Sequence, residues 1–581
     1  MKYTSTTEEL YGSDAIIEAL VQGGVKYVFG MPGGLTGSLW RSLHNHPTIR
    51  AMQVREESIG SVMAEAYGRL TSQPAVVMGQ GEWIVGNAGQ GYLEALLGCS
   101  PLVILTEMSD GAALSHHAPY QSGTGDYGTW DARSALEGVT KRVMISHSPA
   151  QAVQHTQLAL KHAMTGQPGP VAVVFHSTSL RGKVGPTSVP RQYSTAAYLP
   201  TKSSFVDEST LQLVANDIRN AQRPVIIAGN GVRLSQAQSS LLHFAKTVDA
   251  PIVTTASGKG VVDETNDLAV GVMGPFGWPA ANAVVAESDL VIAVGTKLAP
   301  SDTIDENVLL LDPDRQVFVQ IDIEPLNASW TFPIDHVLIG DAGLTMDRLA
   351  HELNEPVERA EECQATTRAG ALRAAYGDSS EPQSQSDEVP IAPQRIIRLL
   401  EQLYPDDGII SCDAGENRLF MMQWYKNKSH GEYLQPAAGG GMGYAVPAAM
   451  AAKLVHPDRA SLAVCGDGGF AMSVHALMTA RQEDLPIGVL VFNNGALGWV
   501  LHGMGNEAVA ANFAEFDYAS IARAIGCDGI RVTSTAELAD ALKQLANLSR
   551  PLVIDVPTSL ATSFKDVVYE LSSAERLRTG Y

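Results

Sequence analysis

Residues 461–470 read SLAVCGDGGF, an apolar run that ends in glycines placed around a single aspartate, Asp467. The apolar run predicts a buried strand, and the glycines predict a tight turn at its carboxyl end. After a helical segment, a second apolar run at residues 488–492 is followed by Asn493 and Asn494. Strands alternate with helices in this way in parallel α/β sheets. We therefore expect Asp467 and Asn494 at two successive strand ends.

Oxygen atoms at these strand ends suit one divalent cation. Asp467 offers a carboxylate oxygen, Asn494 an amide oxygen and Ala496 a backbone carbonyl oxygen. Mg²⁺ prefers such oxygen ligands and keeps further coordination positions for phosphate oxygens and water. The sequence therefore predicts a magnesium site beside a bound diphosphate group.

The glycines around Asp467 support the same interpretation. Gly466, Gly468 and Gly469 allow the backbone to approach an anion closely. The helix predicted to begin near Ala471 would point its first N–H groups at that anion. The alternative is an ordinary strand-to-turn connection, since Gly-Asp-Gly is common at strand ends.

Two further segments help to decide between a diphosphate site and an ordinary strand-to-turn connection. Residues 54–69 read VREESIGSVMAEAYGR, and residues 433–454 read YLQPAAGGGMGYAVPAAMAAKL. Together with the GDG and NN segments, they resemble the signature of thiamine-diphosphate enzymes of the acetohydroxyacid synthase, pyruvate oxidase and 2-oxo acid decarboxylase group. The resemblance covers nearly the whole chain, and it implies thiamine diphosphate and Mg²⁺ as cofactors.

The resemblance implies a catalytic role for Glu57. This residue stands eight positions before Glu65, where the family has a glutamate that contacts the aminopyrimidine ring of the cofactor. A carboxylic acid at a ring nitrogen shifts the ring to its imino tautomer, which then removes the proton from the thiazolium carbon. The alternative is a first-turn acid that interacts with the helix dipole.

The resemblance also implies cofactor contacts in the two glycine-rich segments. Met442, which follows Gly441, would lie beneath the bent cofactor and hold its two rings in a V. The alternative for this methionine is core packing. The other implied cofactor contacts are Gly441, Gly466, Asp467, Gly468, Gly469, Phe470 and Asn494.

Candidate substrate-side residues lie in the first domain. His116 and His117 resemble the paired histidines of the decarboxylases and would relay protons near neutral pH. The spacing of synthase-like relatives would instead place Tyr127 in the pocket. Solvated or merely hydrogen-bonded histidines are the alternative interpretation.

The chain departs from acetohydroxyacid synthases at three places. Residues 82–87 read EWIVGN where those enzymes carry GPGATN. Gly503 stands where they carry a tryptophan that recognises the second 2-oxo acid, and Trp499 stands at the position that corresponds to a methionine in them. Trp499 would therefore line the substrate pocket. Changing an aromatic contact at the acceptor changes selectivity. Ordinary acetolactate synthesis is therefore not expected.

The chain is predicted to be α/β, with three Rossmann-like domains that have parallel central sheets. Its 581 residues exceed what one core holds. The predicted segments are a pyrimidine-binding domain at 5–189, a central domain at 204–353, a linker at 378–388, a diphosphate-binding domain at 391–557 and a C-terminal tail at 558–581. In the family, the two cofactor-binding domains meet across a subunit interface. The resemblance therefore implies a homodimer or homotetramer.

The central domain has the alternating strands and helices of a Rossmann-like fold, with Gly229-Asn230-Gly231 after a strand. In relatives this domain binds FAD, ADP, coenzyme A or nothing. The third glycine of GxGxxG is missing, and residues 294–300 lack the acidic continuation found in flavin-containing synthases. FAD is therefore not favoured.

Composition limits the partners and the compartment. A net charge of −22 argues against nucleic acid or an anionic membrane as a partner. The five cysteines are scattered without CxxC spacing, which indicates neither zinc nor a disulfide framework. No stretch approaches the length of a membrane span, and no signal peptide is predicted. We expect a cytoplasmic protein.

These observations predict a thiamine-diphosphate- and magnesium-dependent lyase or carboligase. Its substrate would be a 2-oxo acid or related small carbonyl compound, handled through a carbanion–enamine intermediate. A 2-hydroxyacyl-CoA lyase is one alternative, and a catalytically silent regulatory or scaffold homologue is another. The presence of Glu57, Asp467 and Asn494 argues against the silent homologue.

Overall fold

The structure is a computed structural model. It describes residues 8–44, 46–110, 121–204, 206–377, 382–428 and 432–568. The two predicted proton-relay residues, His116 and His117, lie outside the described residues, as does the part of the predicted tail from residue 569 onwards.

The first domain has a six-stranded sheet in which every pairing is parallel, in the order β3-β2-β4-β5-β7-β6. The short strands β1 and β8 pair with each other antiparallel outside this sheet. The strands are β1 (Leu10–Tyr11), β2 (Tyr27–Gly30), β3 (Arg50–Gln53), β4 (Ala75–Met78), β5 (Leu102–Glu107), β6 (Arg142–Ser146), β7 (Pro170–Phe175) and β8 (Lys183–Val184). The helices are α1 (Gly12–Gln22), α2 (Gly37–Ser42), α3 (Glu57–Thr71), α4 (Gly81–Gly86), α5 (Gly89–Leu97), α6 (Ala132–Glu137), α7 (Pro149–Met164) and α8 (Ser177–Arg181).

The central domain has a second parallel sheet, in the order β11-β10-β9-β12-β13-β14. This is the strand order of a Rossmann fold, in which the order reverses beside the first strand. The strands are β9 (Pro224–Ala228), β10 (Ile252–Thr254), β11 (Ala269–Val272), β12 (Leu290–Val294), β13 (Val317–Asp322) and β14 (His336–Ile339). The helices are α9 (Glu208–Asn220), α10 (Asn230–Leu234), α11 (Gln238–Val248), α12 (Pro279–Ala286), α13 (Ala342–Leu353) and α14 (Ala365–Tyr376).

The third domain has the third parallel sheet, in the order β16-β15-β17-β18-β20-β19. The strands are β15 (Ile409–Cys412), β16 (Tyr433–Leu434), β17 (Ser461–Gly466), β18 (Gly488–Asn493), β19 (Asp528–Arg531) and β20 (Leu552–Pro557). The helices are α15 (Pro393–Leu403), α16 (Glu416–Trp424), α17 (Ala445–Val455), α18 (Asp467–Ser473), α19 (Ala476–Gln482), α20 (Gly498–Met504), α21 (Tyr518–Ile525) and α22 (Thr535–Gln544). Together the three sheets confirm the predicted α/β fold class with parallel central sheets.

Burial explains why the apolar runs of the sequence became strands. Strands β5 and β7 are buried along their whole length, as expected where helices cover both faces of a parallel sheet. Part of the predicted linker is described, and it packs on the third domain: the Asp387 carboxylate accepts from Arg395 and from Thr535. Among the described residues, no helix is long and apolar enough to cross a membrane.

The first and third domains share one apolar core, in which α3 packs against α17. A buried ionic cluster lies at this junction. Arg69 donates to Glu65 at 2.8 Å, to Glu94 at 2.6 Å and to the carbonyl of Gln435 at 2.8 Å. The Tyr444 hydroxyl donates to the second oxygen of Glu65 at 2.9 Å. Buried charges are tolerated when they are paired and hydrogen bonded in this way, so the cluster fixes the register of the two helices.

Candidate active site

The predicted diphosphate residues lie in one pocket of the third domain, at the carboxyl ends of β15, β17, β18 and β20. This is the sheet edge at which α/β folds place their ligands. The pocket has a volume of about 120 Å³. Ligand pockets usually measure about 300–1,000 Å³, so this pocket is smaller than the usual pocket for a large ligand.

Asp467 is the first residue of α18 and is 2% exposed. One carboxylate oxygen accepts from the N–H of Gly468 at 2.8 Å and the other from the N–H of Gly495 at 2.6 Å. Burial raises the pKa of this carboxyl group to about 6, although the backbone N–H groups around it act in the opposite direction. A nearby cation would relieve the cost of burying the anion.

The helix after β17 starts at Asp467, so the prediction of a start near Ala471 is wrong by four residues. The glycines lie inside the first helical turn because packing requires them there. A Cβ on Gly469 would lie 2.4 Å from the Asp413 carboxylate, and one on Gly468 would lie 2.9 Å from Leu497. An acid in the first turn also interacts favourably with the helix dipole.

Asn494 and Ala496 follow β18, next to Asp467. The Asn494 side-chain oxygen accepts from the N–H of Ala496 at 3.1 Å. A short antiparallel bridge between Ala496 and Asn512 fixes the loop through the carbonyls of Gly495 and Ala511. Among the described residues, no donor is paired with the carbonyl of Ala496. A carboxylate, an amide oxygen and a backbone carbonyl on adjacent strand ends fit the oxygen preference of Mg²⁺.

Met442 lines the same pocket. Its position is fixed by hydrogen bonds of its backbone segment to two side chains. The Gln90 amide of the first domain donates to the Met442 carbonyl at 2.9 Å. The Asp413 carboxylate accepts from the N–H groups of Gly443 at 3.0 Å and Tyr444 at 3.2 Å. Burial raises the pKa of Asp413 to about 7.

Phe470 differs from the other predicted cofactor contacts. Its side chain is fully buried and meets the Tyr518 ring edge-on at 5.4 Å. It does not appear among the described residues that line the pocket. Its contact with the cofactor stays a prediction. Gly441 also lies outside the described lining, and the Gln90 side chain occupies the space where a Cβ on Gly441 would lie.

Glu57 is the first residue of α3 and is 7% exposed. The amide of Asn87 donates to its carboxylate at 2.9 Å. The neighbouring Glu56 acts as the N-cap of α3 by accepting from the N–H of Ser58. Glu56 therefore caps the helix, and Glu57 is the acid of its first turn, a position that favours a negative charge. Glu57 is not among the described residues that line the third-domain pocket.

Trp499 forms one wall of the pocket. Its indole ring meets Phe276 of the central domain edge-on at 5.5 Å and stacks on Phe564 at 5.5 Å. Phe564 belongs to the described part of the predicted tail, residues 558–568. Tyr127, the other predicted pocket residue, is fully exposed on the first domain. Its contact with a substrate stays a prediction.

Sequence reasoning missed several residues that shape the site. Asn87 holds Glu57, Asp413 holds the Met442 segment, and Gln90 joins that segment to the first domain. Asn87 could have been found, because it ends the segment in which the family carries GPGATN. Gln90 could not, since its partner lies 352 positions away in the chain.

Three family descriptions match the chain, one for each domain. The thiamine pyrophosphate enzyme N-terminal TPP binding domain matches residues 10–126, the central domain matches residues 211–349, and the C-terminal TPP binding domain matches residues 413–556. The chain belongs to the thiamine pyrophosphate enzymes. Thiamine pyrophosphate is another name for thiamine diphosphate, so the resemblance stated from the motifs is confirmed.

Several similar proteins align with almost the whole length of this thiamine pyrophosphate enzyme. A probable acetolactate synthase large subunit of Methanococcus aeolicus is 27% identical over 566 residues, 94% of this chain and 91% of its own length. A putative thiamine pyrophosphate-containing protein of Bacillus subtilis is 28% identical over 554 residues, 93% of this chain and 90% of its own. An acetolactate synthase large subunit of Corynebacterium glutamicum is 27% identical, covering 95% of this chain and 87% of its own length.

Proposed function

We propose that this thiamine pyrophosphate enzyme is a magnesium-dependent carboligase or lyase that acts on a 2-oxo acid or a related small carbonyl compound. The observation that carries the proposal is the third-domain pocket, in which Asp467, Asn494 and Met442 meet at one sheet edge. The acetolactate synthase names of the relatives support a carboligation reaction.

Each of these residues would have a separate task. Asp467, Asn494 and the carbonyl of Ala496 would hold Mg²⁺, which in turn binds the diphosphate of the cofactor. Met442 would support the bend between the two cofactor rings. Bound thiamine diphosphate would supply an electron sink next to a carbonyl carbon. Glu57, held by Asn87, would keep a proton at the ring nitrogen of the aminopyrimidine.

The site would be completed by a second copy of the chain. Glu57 lies outside the pocket that contains Asp467, and that pocket is small for the whole cofactor. On α4 and α5 of the first domain, Trp83, Leu93 and Leu97 are 44–52% exposed. Large exposed apolar side chains are available there for contact with another protein surface. We infer a homodimer or a dimer of dimers with active sites at the subunit interface.

A mixing experiment tests the shared site. Glu57→Gln and Asp467→Ala variants, each inactive alone, are unfolded together, refolded and assayed for product. A hybrid dimer then contains one site with both substitutions and one site with neither. Recovered activity supports the shared site, whereas an inactive mixture would show that each chain builds its own complete site.

The acceptor side of the pocket would differ from that of acetohydroxyacid synthases. Trp499 is fixed between Phe276 and Phe564 and would narrow this side of the pocket. Gly503 has no aromatic side chain with which to contact an acceptor. We therefore expect pyruvate to be a poor self-condensation substrate. An aromatic contact of about 1 kcal/mol changes selectivity several-fold.

A substrate screen with the loaded enzyme tests the pocket. Pyruvate and larger 2-oxo acids are offered as donors, aldehydes and ketones as acceptors, and products are identified by mass spectrometry. Trp499→Ala should change the product profile more than cofactor affinity, while the exposed Trp330→Ala should change neither. Efficient acetolactate formation by the wild type would refute the acceptor proposal. Saturable turnover of a CoA thioester would favour the 2-hydroxyacyl-CoA lyase, and no turnover at all would favour a silent homologue.

Two further assignments belong to the proposal. The glycines of Gly229-Asn230-Gly231 are explained by packing, since a Cβ on Gly231 would lie 2.6 Å from the Cα of Gly295. We therefore do not assign FAD to the central domain. The five cysteines are free thiols, which fits a reducing cytoplasm.

A further inference from the structure

The charges around the third-domain pocket are unusual for a site that receives a diphosphate. Among the described lining residues, the only ionisable side chains are Asp467 and Glu416, and both are acidic. The proposed metal ion would compensate the negative charge of Asp467. Glu416 is the first residue of α16 and is 6% exposed. A second buried carboxylate beside a diphosphate would repel it unless a positive charge compensates.

The carboxylate of Glu416 has two described donors. One of its oxygens accepts from Nδ1 of His502 at 2.7 Å and from the N–H of Phe564 at 2.8 Å. Its other oxygen lies 2.4 Å from the position that a Cβ on Gly498 would occupy, and Nδ2 of Asn494 lies 3.2 Å from the same position. Glu416 therefore lies against the residues that would receive the metal and the diphosphate.

His502 is held between two acceptors. Its Nδ1 faces the Glu416 carboxylate at 2.7 Å, and its Nε2 faces the carbonyl of Leu560 at 3.1 Å. Only the imidazolium form of histidine donates from both ring nitrogens. The side chain of His502 is 18% exposed and that of Glu416 is 5% exposed, so solvent screens this pair only partly.

The same contacts fix residues 558–567, which we call the C-terminal strap. His502 contacts the carbonyl of Leu560, and Glu416 accepts from the N–H of Phe564. The Thr562 hydroxyl both donates to and accepts from the side-chain amide of Gln394. Thr558, Ser559 and Thr562 line the pocket, so the strap forms part of its wall.

We propose that His502, as an imidazolium, is a positioning residue that compensates the charge of Glu416 beside the bound diphosphate and holds the C-terminal strap in place. This inference rests on the proposed cofactor pocket. Replacing His502 by a neutral side chain leaves the Glu416 carboxylate next to the anion with the N–H of Phe564 as its remaining described donor. The replacement also takes away the imidazole N–H that faces the carbonyl of Leu560. Cofactor affinity and strap order should therefore both depend on this one side chain.

A charge-rescue experiment separates this role from a purely structural one. His502→Gln, Glu416→Gln and the double variant are titrated with thiamine diphosphate and Mg²⁺ by calorimetry. His502→Gln removes the positive charge and should weaken binding by about tenfold or more, as expected for an unpaired charge near an anion. The double variant also removes the carboxylate, so its affinity should return to within about threefold of the wild type if the coupling is electrostatic. Glu416→Gln alone should bind at least as well as the wild type.

Hydrogen exchange of the cofactor-free protein provides a second readout. His502→Gln should speed amide exchange in residues 560–567, because the strap loses a bond on this side. The exposed His243→Gln is the matched control and should match the wild type in both experiments.

The outcomes separate this inference from the proposed function. Wild-type affinity in His502→Gln, a double variant as weak as His502→Gln, or unchanged exchange in the strap would each overturn the role of His502. A wild type that does not bind thiamine diphosphate would overturn the proposed pocket and this inference with it.

Discussion

The first and third domains have the same strand order, yet their sheet edges carry different chemistry. When the strands are numbered within each six-stranded sheet, the order in the first and third domains is 2-1-3-4-6-5. The order in the central domain is 3-2-1-4-5-6. After the third and fourth strands, the third domain has Asp467 and Asn494, while the first domain has Gly79 and Met108. The same strand order therefore occurs twice, and at these two described positions only the third domain has oxygen-bearing side chains.

The helices that follow the second strands show the complementary difference. In the first domain α3 begins with Glu57, and in the third domain α17 begins with Ala445. These two helices pack against each other around the Arg69 cluster. Under the proposed function, the first domain would supply an acid, and the third would supply the metal and diphosphate site. The predictions below test this division.

Asp467→Ala makes the third sheet edge resemble the first and should have the largest effect. Removing the proposed charged metal ligand should lower magnesium-dependent affinity for thiamine diphosphate on the order of 100-fold or more. Calorimetric titration with and without Mg²⁺ measures this. Asp484→Ala, in an exposed turn, is the control. Unchanged affinity in Asp467→Ala would remove the assignment of the site.

Glu57→Gln tests the contribution of the first domain. The amide fits the same space and can pair with Asn87, but it cannot exchange the proton at the aminopyrimidine. Cofactor binding should persist, while deuterium exchange at the thiazolium carbon should slow by about 100-fold. Glu56→Gln, which retains an acceptor for the N–H of Ser58, should exchange like the wild type. Equal rates in Glu57→Gln and wild type would contradict the role.

Asp413→Asn tests another position at which the two domains differ. Asp413 follows the first strand of the third-domain sheet, and the equivalent residue of the first domain is Met31. Burial raises the pKa of Asp413 from its usual 3.8 to about 7, so the folded state retains a proton that the unfolded state releases. Its contribution to stability is complete below pH 3.8 and is lost as the pH rises through about 7. Thermal unfolding between these pH values should show a flatter profile in Asp413→Asn than in the wild type. Parallel profiles would contradict the assignment.

Tyr444→Phe tests the junction of the two domains and should have the smallest effect. It removes the hydroxyl that donates to Glu65 and leaves a buried carboxylate oxygen without that partner. The expected loss is about 1–3 kcal/mol of unfolding free energy. Denaturant unfolding measures it, with the exposed Tyr376→Phe as control. Equal stability of both variants would show that the cluster does not depend on this hydroxyl.

The inner strands could be predicted from the sequence because their apolar runs are buried on both faces. Edge strands were harder to predict: β3 and β19 contain charged and exposed residues, since one side of each has no neighbouring strand. The sequence pattern places the start of α18 too late because glycine usually ends a helix, whereas here Gly469 lies in the first turn, where the Asp413 carboxylate occupies the space that a Cβ would need.

The candidate site was predictable only where its residues are close in the sequence. Asp467, Asn494 and Ala496 follow successive strands, and the parallel sheet brings such ends together. The bond between Gln90 and Met442 and the bond between Glu416 and His502 join distant segments. Nothing in either segment alone indicates its partner, because these pairs depend on how whole elements pack.

The junction of α3 and α17 has a consequence for synthesis on the ribosome. Glu65 and Tyr444 are 379 positions apart in the chain. At roughly 5–20 residues per second, translation takes on the order of 20–80 s to cover this distance. During that interval the nascent first domain exposes the apolar face that α17 later covers. Its core is completed only after nearly four-fifths of the protein has been made, so this apolar face stays exposed for longer than the length of the first domain alone would require.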